Sequence, residues 1–208
     1  MTSYVVADQI SKGFLTEDTM VDISEECWHM EGSRMFIKEG TEVSISELLK
    51  GVIIQSGNDA SCALAEKIAG SQSAFADLMN NYAEQLGLEN TNFVNPTGLP
   101  DINHYSTAND IAKLSIRLIE DFPDNYALFK EKEYTFNNIR QLNRNSLLWQ
   151  DDSIDGIKTG HTNASGYCLV ASAKRDEMRL IAVTLNSTSE KTRLQDSRRL
   201  LDYGFRFF

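Results

Sequence analysis

Asp155-Gly156-Ile157-Lys158-Thr159-Gly160-His161-Thr162 is the stretch from which the rest of the chain is read. Its pattern is that of a short strand ending in a turn, with a cation, two hydroxyls and two glycines in eight residues. Two apolar runs rich in β-formers follow, Gly166 to Ala173 and Met178 to Leu185. The polar Lys174-Arg175-Asp176-Glu177 between them reads as the turn of a hairpin. The last third of the chain therefore predicts a sheet, closed by a helix from Glu190 to Phe208 with Leu194, Leu200, Leu201, Phe205 and Phe208 turned inward.

Working back from that sheet, the chain is mostly helical. Ser44-Ile45-Ser46-Glu47 is a capping box, in which the serine hydroxyl and the glutamate carboxylate satisfy each other's backbone amides. Ile45, Leu48, Leu49, Val52 and Ile53 then form one broad apolar face. Further helices are expected at Asp59 to about Ile68, Gln72 to Leu86, and Ser106 to about Asp121, with Pro123 opening a short one. Asn90 to Tyr105 is a long polar loop. Met1 to Ser11 is a helix and Thr19 to Ser24 a short strand. Lys132 to Phe136 alternates like a strand, and the Asn- and Arg-rich segment 137–145 reads as a return toward the site. This order is an α/β (α+β) sandwich with a helical lobe at about residues 44–130, and not a βαβ alternation.

Composition narrows the function. Hydrophobic residues are 41% and charged residues 24% of the 208, ordinary for a globular domain. The net charge of -10 offers no basic footprint for phosphates, which argues against nucleic acid. The three cysteines, Cys27, Cys62 and Cys168, fit neither a zinc pattern nor a disulfide framework, so each is expected to be a buried free thiol. The three histidines are scattered, and no metal and no cofactor is expected. No apolar run approaches the ~20 residues of a membrane span, and no signal peptide is legible at Met1.

The chemistry lies in two short motifs. Lys158 and the threonine hydroxyls can hold a carboxylate, Gly160 admits a substrate backbone, and the His161 amide can donate to an oxyanion. About one hundred residues earlier, Ser56-Gly57-Asn58 separates two helices. There Ser56 can relay a proton and Asn58 can grip a peptide carbonyl. Read alone, the first stretch is sooner a solvated turn before a strand than a binding site, and the second is as readily a simple helix–helix turn. Arg144 is either a second cation of the pocket or a brace, and Asp155 is expected to have a structural role at the strand start.

Ser-x-Asn followed by Lys-Thr-Gly resembles two of the three motifs of penicillin-binding proteins and serine β-lactamases. The wider text is closer to the low-molecular-mass D-alanyl-D-alanine carboxypeptidases. The matching stretches are Met1 to Val6, Gly51 to Ala60, Phe136 to Gln141, Asn143-Arg144-Asn145 and Lys158 to Thr162. The resemblance implies a β-lactamase/transpeptidase-like fold and a serine acyl-enzyme that removes the terminal D-alanine of peptidoglycan stem peptides. It implies β-lactam antibiotics as ligands of the complete enzyme, and a periplasmic site or the outer face of the cytoplasmic membrane. Ser56 and Asn58 would then be catalytic, and Lys158, Thr159, Gly160, His161 and Thr162 substrate-binding.

One motif is missing. No serine in the chain has lysine three residues on, so the nucleophile and base of Ser-x-x-Lys are absent. The expectation is a partial penicillin-binding domain over 1–208 that begins just after the catalytic lysine. It would lack the N-terminal strands and the C-terminal β domain of the family, and would be inactive as written. A non-catalytic D-alanyl-D-alanine-binding protein and a β-lactamase relative are the alternatives. Ser-Gly-Asn, where β-lactamases commonly have Ser-Asp-Asn, argues against the latter.

Overall fold

A computed structural model describes all 208 residues. Helix α1 (Thr2–Ser11) leads to a two-stranded ribbon of β1 (Met20–Asp22) and β2 (Glu42–Ser44), with the short α2 (Glu25–Trp28) between them. Then come α3 (Ile45–Lys50), α4 (Asn58–Ala69), α5 (Gln72–Gln85), α6 (Ala108–Asp121) and α7 (Pro123–Tyr126). A hairpin of β3 (Glu133–Phe136) and β4 (Ile139–Leu142) precedes the main sheet. That sheet is β5 (Ile154–Thr162), β6 (Gly166–Arg175) and β7 (Met178–Ser187), antiparallel and in that order, followed by α8 (Glu190–Phe207).

Period-two alternation decides which side of the sheet does what. Leu169, Ala171 and Ala173 of β6 face α8, where they meet Leu201, Leu147 and Leu148 in a compact second core. Val170 faces the other way, beside Ile157, onto the large core built by α1, α3, α4, α5 and the segment around Phe129. Helices thus cover both faces, as the α/β reading expects. Burying a side chain such as Leu201, 2% exposed, stabilises by about 2–3 kcal/mol, and the Thr184–Ser197 hydroxyl pair, 2.9 Å apart, satisfies the polar atoms beside it.

The structure corrects several expectations. Lys158-Thr159-Gly160 is not a turn but the middle of a nine-residue strand, paired with Val170, Leu169 and Cys168. Its polar residues mark an open edge, and the turn comes only after Thr162. Segment 137–145 contains β4, because Asn137 and Asn138 take left-handed φ of 49° and 62° and close a tight hairpin. Only half of the capping box forms: the Ser44 hydroxyl accepts from the Glu47 amide at 3.3 Å, whereas the Glu47 carboxylate turns to Lys50. On α8, Leu194, Leu201 and Phe205 share one stripe and pack inward, whereas Leu200 is 51% and Phe208 86% exposed. A 3.6-residue period cannot turn Leu200 and Leu201 to the same side.

Cys27 and Cys62 are not free thiols. They form a buried disulfide between α2 and α4, so their sulfurs are not metal ligands either. Their partnership depends on the contact of two helices and leaves no mark in local spacing. Cys168 is free, half-buried on β6. No helix is long and apolar enough to cross a membrane.

Candidate active site

The site forms where the α3–α4 junction meets the free edge of β5. Helix α3 widens into a π-helical turn at Gly51–Gln55 and then stops, because Ser56 adopts left-handed φ 62°, ψ 40°. Such geometry is uncommon for a non-glycine residue, and wide turns of this kind recur at functional sites. Only glycine fits at Gly51, where a Cβ would lie 2.3 Å from the Met35 sulfur. The consequence is that the Ser56 hydroxyl turns out of the helices and points at the sheet.

Lys158 meets it there. Its Nζ donates to Ser56 Oγ at 2.9 Å and to the Thr159 carbonyl at 3.0 Å. Burial of the ammonium, reinforced by the guanidiniums of Arg144 and Arg193, lowers its pKa to about 8. The Thr159 carbonyl therefore faces away from β6. Backbone groups two residues apart point the same way along a strand, so the His161 amide is directed to the same unpaired edge. It is placed to donate to an oxygen in the cleft.

Two cavities meet at this pair. An open cleft of about 750 Å³ is lined by Ser56, Thr159, Gly160 and His161 together with Arg144 and Arg193. Behind it lies a more apolar cavity of about 330 Å³, which Lys158 lines and to which Ser56, Thr159 and Gly160 also contribute. Asn58 and Thr162 line neither cavity. Asn58 is buried, and its Nδ2 donates to the Glu31 carbonyl at 2.6 Å. The Thr162 hydroxyl accepts from the Ser165 amide at 2.9 Å and organises the β5–β6 turn.

Two arginines complete the electrostatics. Arg144 is a cation of the cleft and a brace at once: Nε donates to the Gln55 carbonyl at 2.9 Å and Nη2 to Ser33 Oγ at 2.8 Å. Arg193 escaped the sequence reading. It lies in the first turn of α8, after the Ser189 cap, where Nη2 pairs with Glu190 at 2.9 Å and Nη1 reaches the Gly160 carbonyl at 3.4 Å. Its buried Nε has no partner. Arg193 nevertheless lines the open cleft, where a guanidinium can pair with an anion. Tyr167 supports both neighbours, stacking on His161 with centroids 4.0 Å apart and lying 5.7 Å from the Arg193 guanidinium carbon. Asp155 has the structural role expected of it, accepting from the Tyr126 hydroxyl at 2.9 Å and pairing with Arg179 at 2.7 Å.

The arrangement can hold a carboxylate between Lys158, Thr159 and Arg193, stabilise an oxyanion at His161 N–H, and move a proton through Lys158 and Ser56. A family model described as D-alanyl-D-alanine carboxypeptidase matches residues 1–189. Among curated proteins, the chain is 49% identical over 215 residues to D-alanyl-D-alanine carboxypeptidase DacC of Escherichia coli K12, a match covering 100% of this chain and 54% of that protein. Among solved structures, penicillin binding protein 5 of Haemophilus influenzae is 46% identical with a TM-score of 0.96, over 99% of this chain and 61% of that one. Penicillin-binding protein D2 of Listeria monocytogenes in its ampicillin-bound form is 27% identical with a TM-score of 0.88, over 98% of this chain and 84% of that one. The chain spans about half the length of the curated relatives it matches.

Proposed function

The chain belongs to the D-alanyl-D-alanine carboxypeptidase family, and from that premise we propose that its cleft serves the removal of the terminal D-alanine from peptidoglycan stem peptides. In this reading Lys158, Thr159 and Arg193 grip the C-terminal carboxylate of the peptide. The His161 amide stabilises the oxyanion of the scissile carbonyl. Ser56, hydrogen-bonded to Lys158, passes a proton to the amine of the departing D-alanine as the peptide C–N bond breaks. Gly160 shapes the wall along which the peptide backbone lies, Asn58 is held behind that wall by the Glu31 carbonyl, and Thr162 holds the turn that ends it. A serine nucleophile forms the acyl-enzyme, which water then hydrolyses. No Ser-x-x-Lys occurs in these 208 residues, so this chain is assigned the recognition wall of the site. β-Lactams, which present a carboxylate and a strained acyl group in the same order, are proposed as ligands of the same wall.

One observation carries the reading: the Lys158 ammonium lies 2.9 Å from Ser56 Oγ, where the cavity Lys158 lines meets the cleft that Arg193 lines. The Cys27–Cys62 disulfide supports a place of action outside the cytoplasm, where such bonds persist. Titration of the chain with N-acetyl-D-alanyl-D-alanine is the test. Saturable binding is expected, weakened at least tenfold by Lys158→Ala or by amidating the dipeptide's carboxylate. A folded chain that does not bind, or binds the amide equally well, refutes it.

A further inference from the structure

Asp59, immediately after the Ser-Gly-Asn turn, is 1% exposed, and no lysine or arginine pairs with it. Four backbone amides satisfy its carboxylate instead. Oδ1 accepts from Met35 and Ala60, both at 2.9 Å. Oδ2 accepts from Phe36 at 2.9 Å and Ile37 at 3.3 Å. Three of the four belong to one loop, and gathering them forces Phe36 to φ 70°, a backbone region that a bulky side chain avoids. The Phe36 ring stands 43% exposed on the wall of the open cleft.

The same loop holds the functional turn from its other end. The Ser33 carbonyl accepts from the Asn58 amide at 2.7 Å, and the Glu31 carbonyl accepts from Asn58 Nδ2 at 2.6 Å. Ser33 Oγ donates to the Gln55 carbonyl at 2.8 Å, one residue before Ser56. The hydrogen bonds to Asn58 thus come from residues 31–33, in a loop seated by the amides of 35–37 on Asp59, by Gln141 on the Met35 carbonyl and by Arg144 on Ser33 Oγ. We propose that Asp59 is a positioning residue of this site. Its carboxylate seats loop 31–37 against the Ser56-Gly57-Asn58 turn, and thereby sets both the Asn58 amide and the Phe36 wall of the cleft. The functional part of this inference rests on the reading above.

The test uses Asp59→Asn in the 208-residue chain, with two readouts. The variant keeps the shape and presents an amide nitrogen to backbone donors. Binding of N-acetyl-D-alanyl-D-alanine is expected to weaken at least tenfold. In proton–nitrogen NMR spectra, the Met35 and Phe36 amide protons move upfield and the Asn58 side-chain amide loses its protection from hydrogen exchange. Ser197→Ala, in the second core, controls for simple loss of stability and leaves binding within twofold of the parent. Binding by Asp59→Asn within twofold, with the Asn58 signals unmoved, overturns the proposal. If the parent chain does not bind the dipeptide, the functional reading fails, and the Asn58 signals alone decide whether Asp59 positions it. Should Asp59→Asn not fold, Gly32→Ala replaces it, since a Cβ there would lie 2.8 Å from Asn58 Nδ2. The same weakening supports the loop's role, and unchanged binding overturns it.

Discussion

Lys158 holds its proton less firmly than a lysine in water, and that difference sets a measurable pH profile. An ordinary lysine titrates near pH 10.4, whereas burial and two neighbouring guanidiniums bring Lys158 to about 8. Only the charged form attracts a carboxylate. Its population falls from about nine tenths at pH 7 to about one tenth at pH 9, because each pH unit beyond the pKa is a factor of ten. Affinity for N-acetyl-D-alanyl-D-alanine should therefore drop about tenfold over that interval, where an unshifted lysine would lose a few per cent. The decline is not cut short, since a charge pair at about 4 Å and an effective dielectric near 20 is worth about 4 kcal/mol, or roughly a thousandfold. Two titratable groups of the inner cavity do not mimic it. The Met1 amine is pushed to about 5 by burial, His104 is lowered by burial, and both are neutral above pH 7. Guanidiniums keep their charge, and Cys168→Ser controls for the thiol beside Gly160. Calorimetric titration between pH 7 and 9.5 is the assay, with Lys158→Met expected to be weak and flat. A dissociation constant that holds steady to pH 9 in the parent chain would refute both the environment ascribed to Lys158 and its role.

Two further outcomes follow from features away from that ammonium. Replacing both Cys27 and Cys62 by alanine opens a closed loop of 35 residues, and loop-closure entropy at that length predicts a loss of about 4 kcal/mol of stability. Urea unfolding followed by circular dichroism measures it, and a loss below about 1 kcal/mol would mean that the unfolded chain is already constrained there. A fluorescent penicillin should form no covalent adduct with the 208-residue chain, because no serine in it has a lysine three residues on. A labelled band after denaturing electrophoresis would reveal a nucleophile among these residues.

Much of the architecture is written in local pattern. Leu169, Ala171 and Ala173 alternate toward one core, and Leu194, Leu201 and Phe205 recur at helical spacing, so sheet and closing helix are readable from periodicity. The same reading fails where the determining contact is distant. Lys158 and Thr159 look like turn residues because they are polar, yet their polarity serves an open strand edge. Cys27 and Cys62 find each other only when α2 lies on α4. Arg193 looks like one more cation on an exposed helix, and its burial against Gly160 and Tyr167 depends on how α8 returns across the sheet. Asp59 reads as an ordinary first-turn acid, because the amides it gathers are 22 to 24 residues upstream.

Ser56 and Lys158 are 102 residues apart along the chain and 2.9 Å apart in space. Bringing two such distant points together carries a loop-closure entropy that nearby contacts do not, and folds dominated by distant pairings assemble slowly. Single helices and the β5–β7 hairpins can each form from neighbouring residues, but the Ser56–Lys158 junction and the packing of α1 on α6 cannot. Ligand recognition is then among the last properties the folding chain acquires, and the first to disappear when the two halves separate. Appearance of dipeptide binding during refolding would time the closure of the whole molecule, whereas recovery of helical circular dichroism would time only its parts.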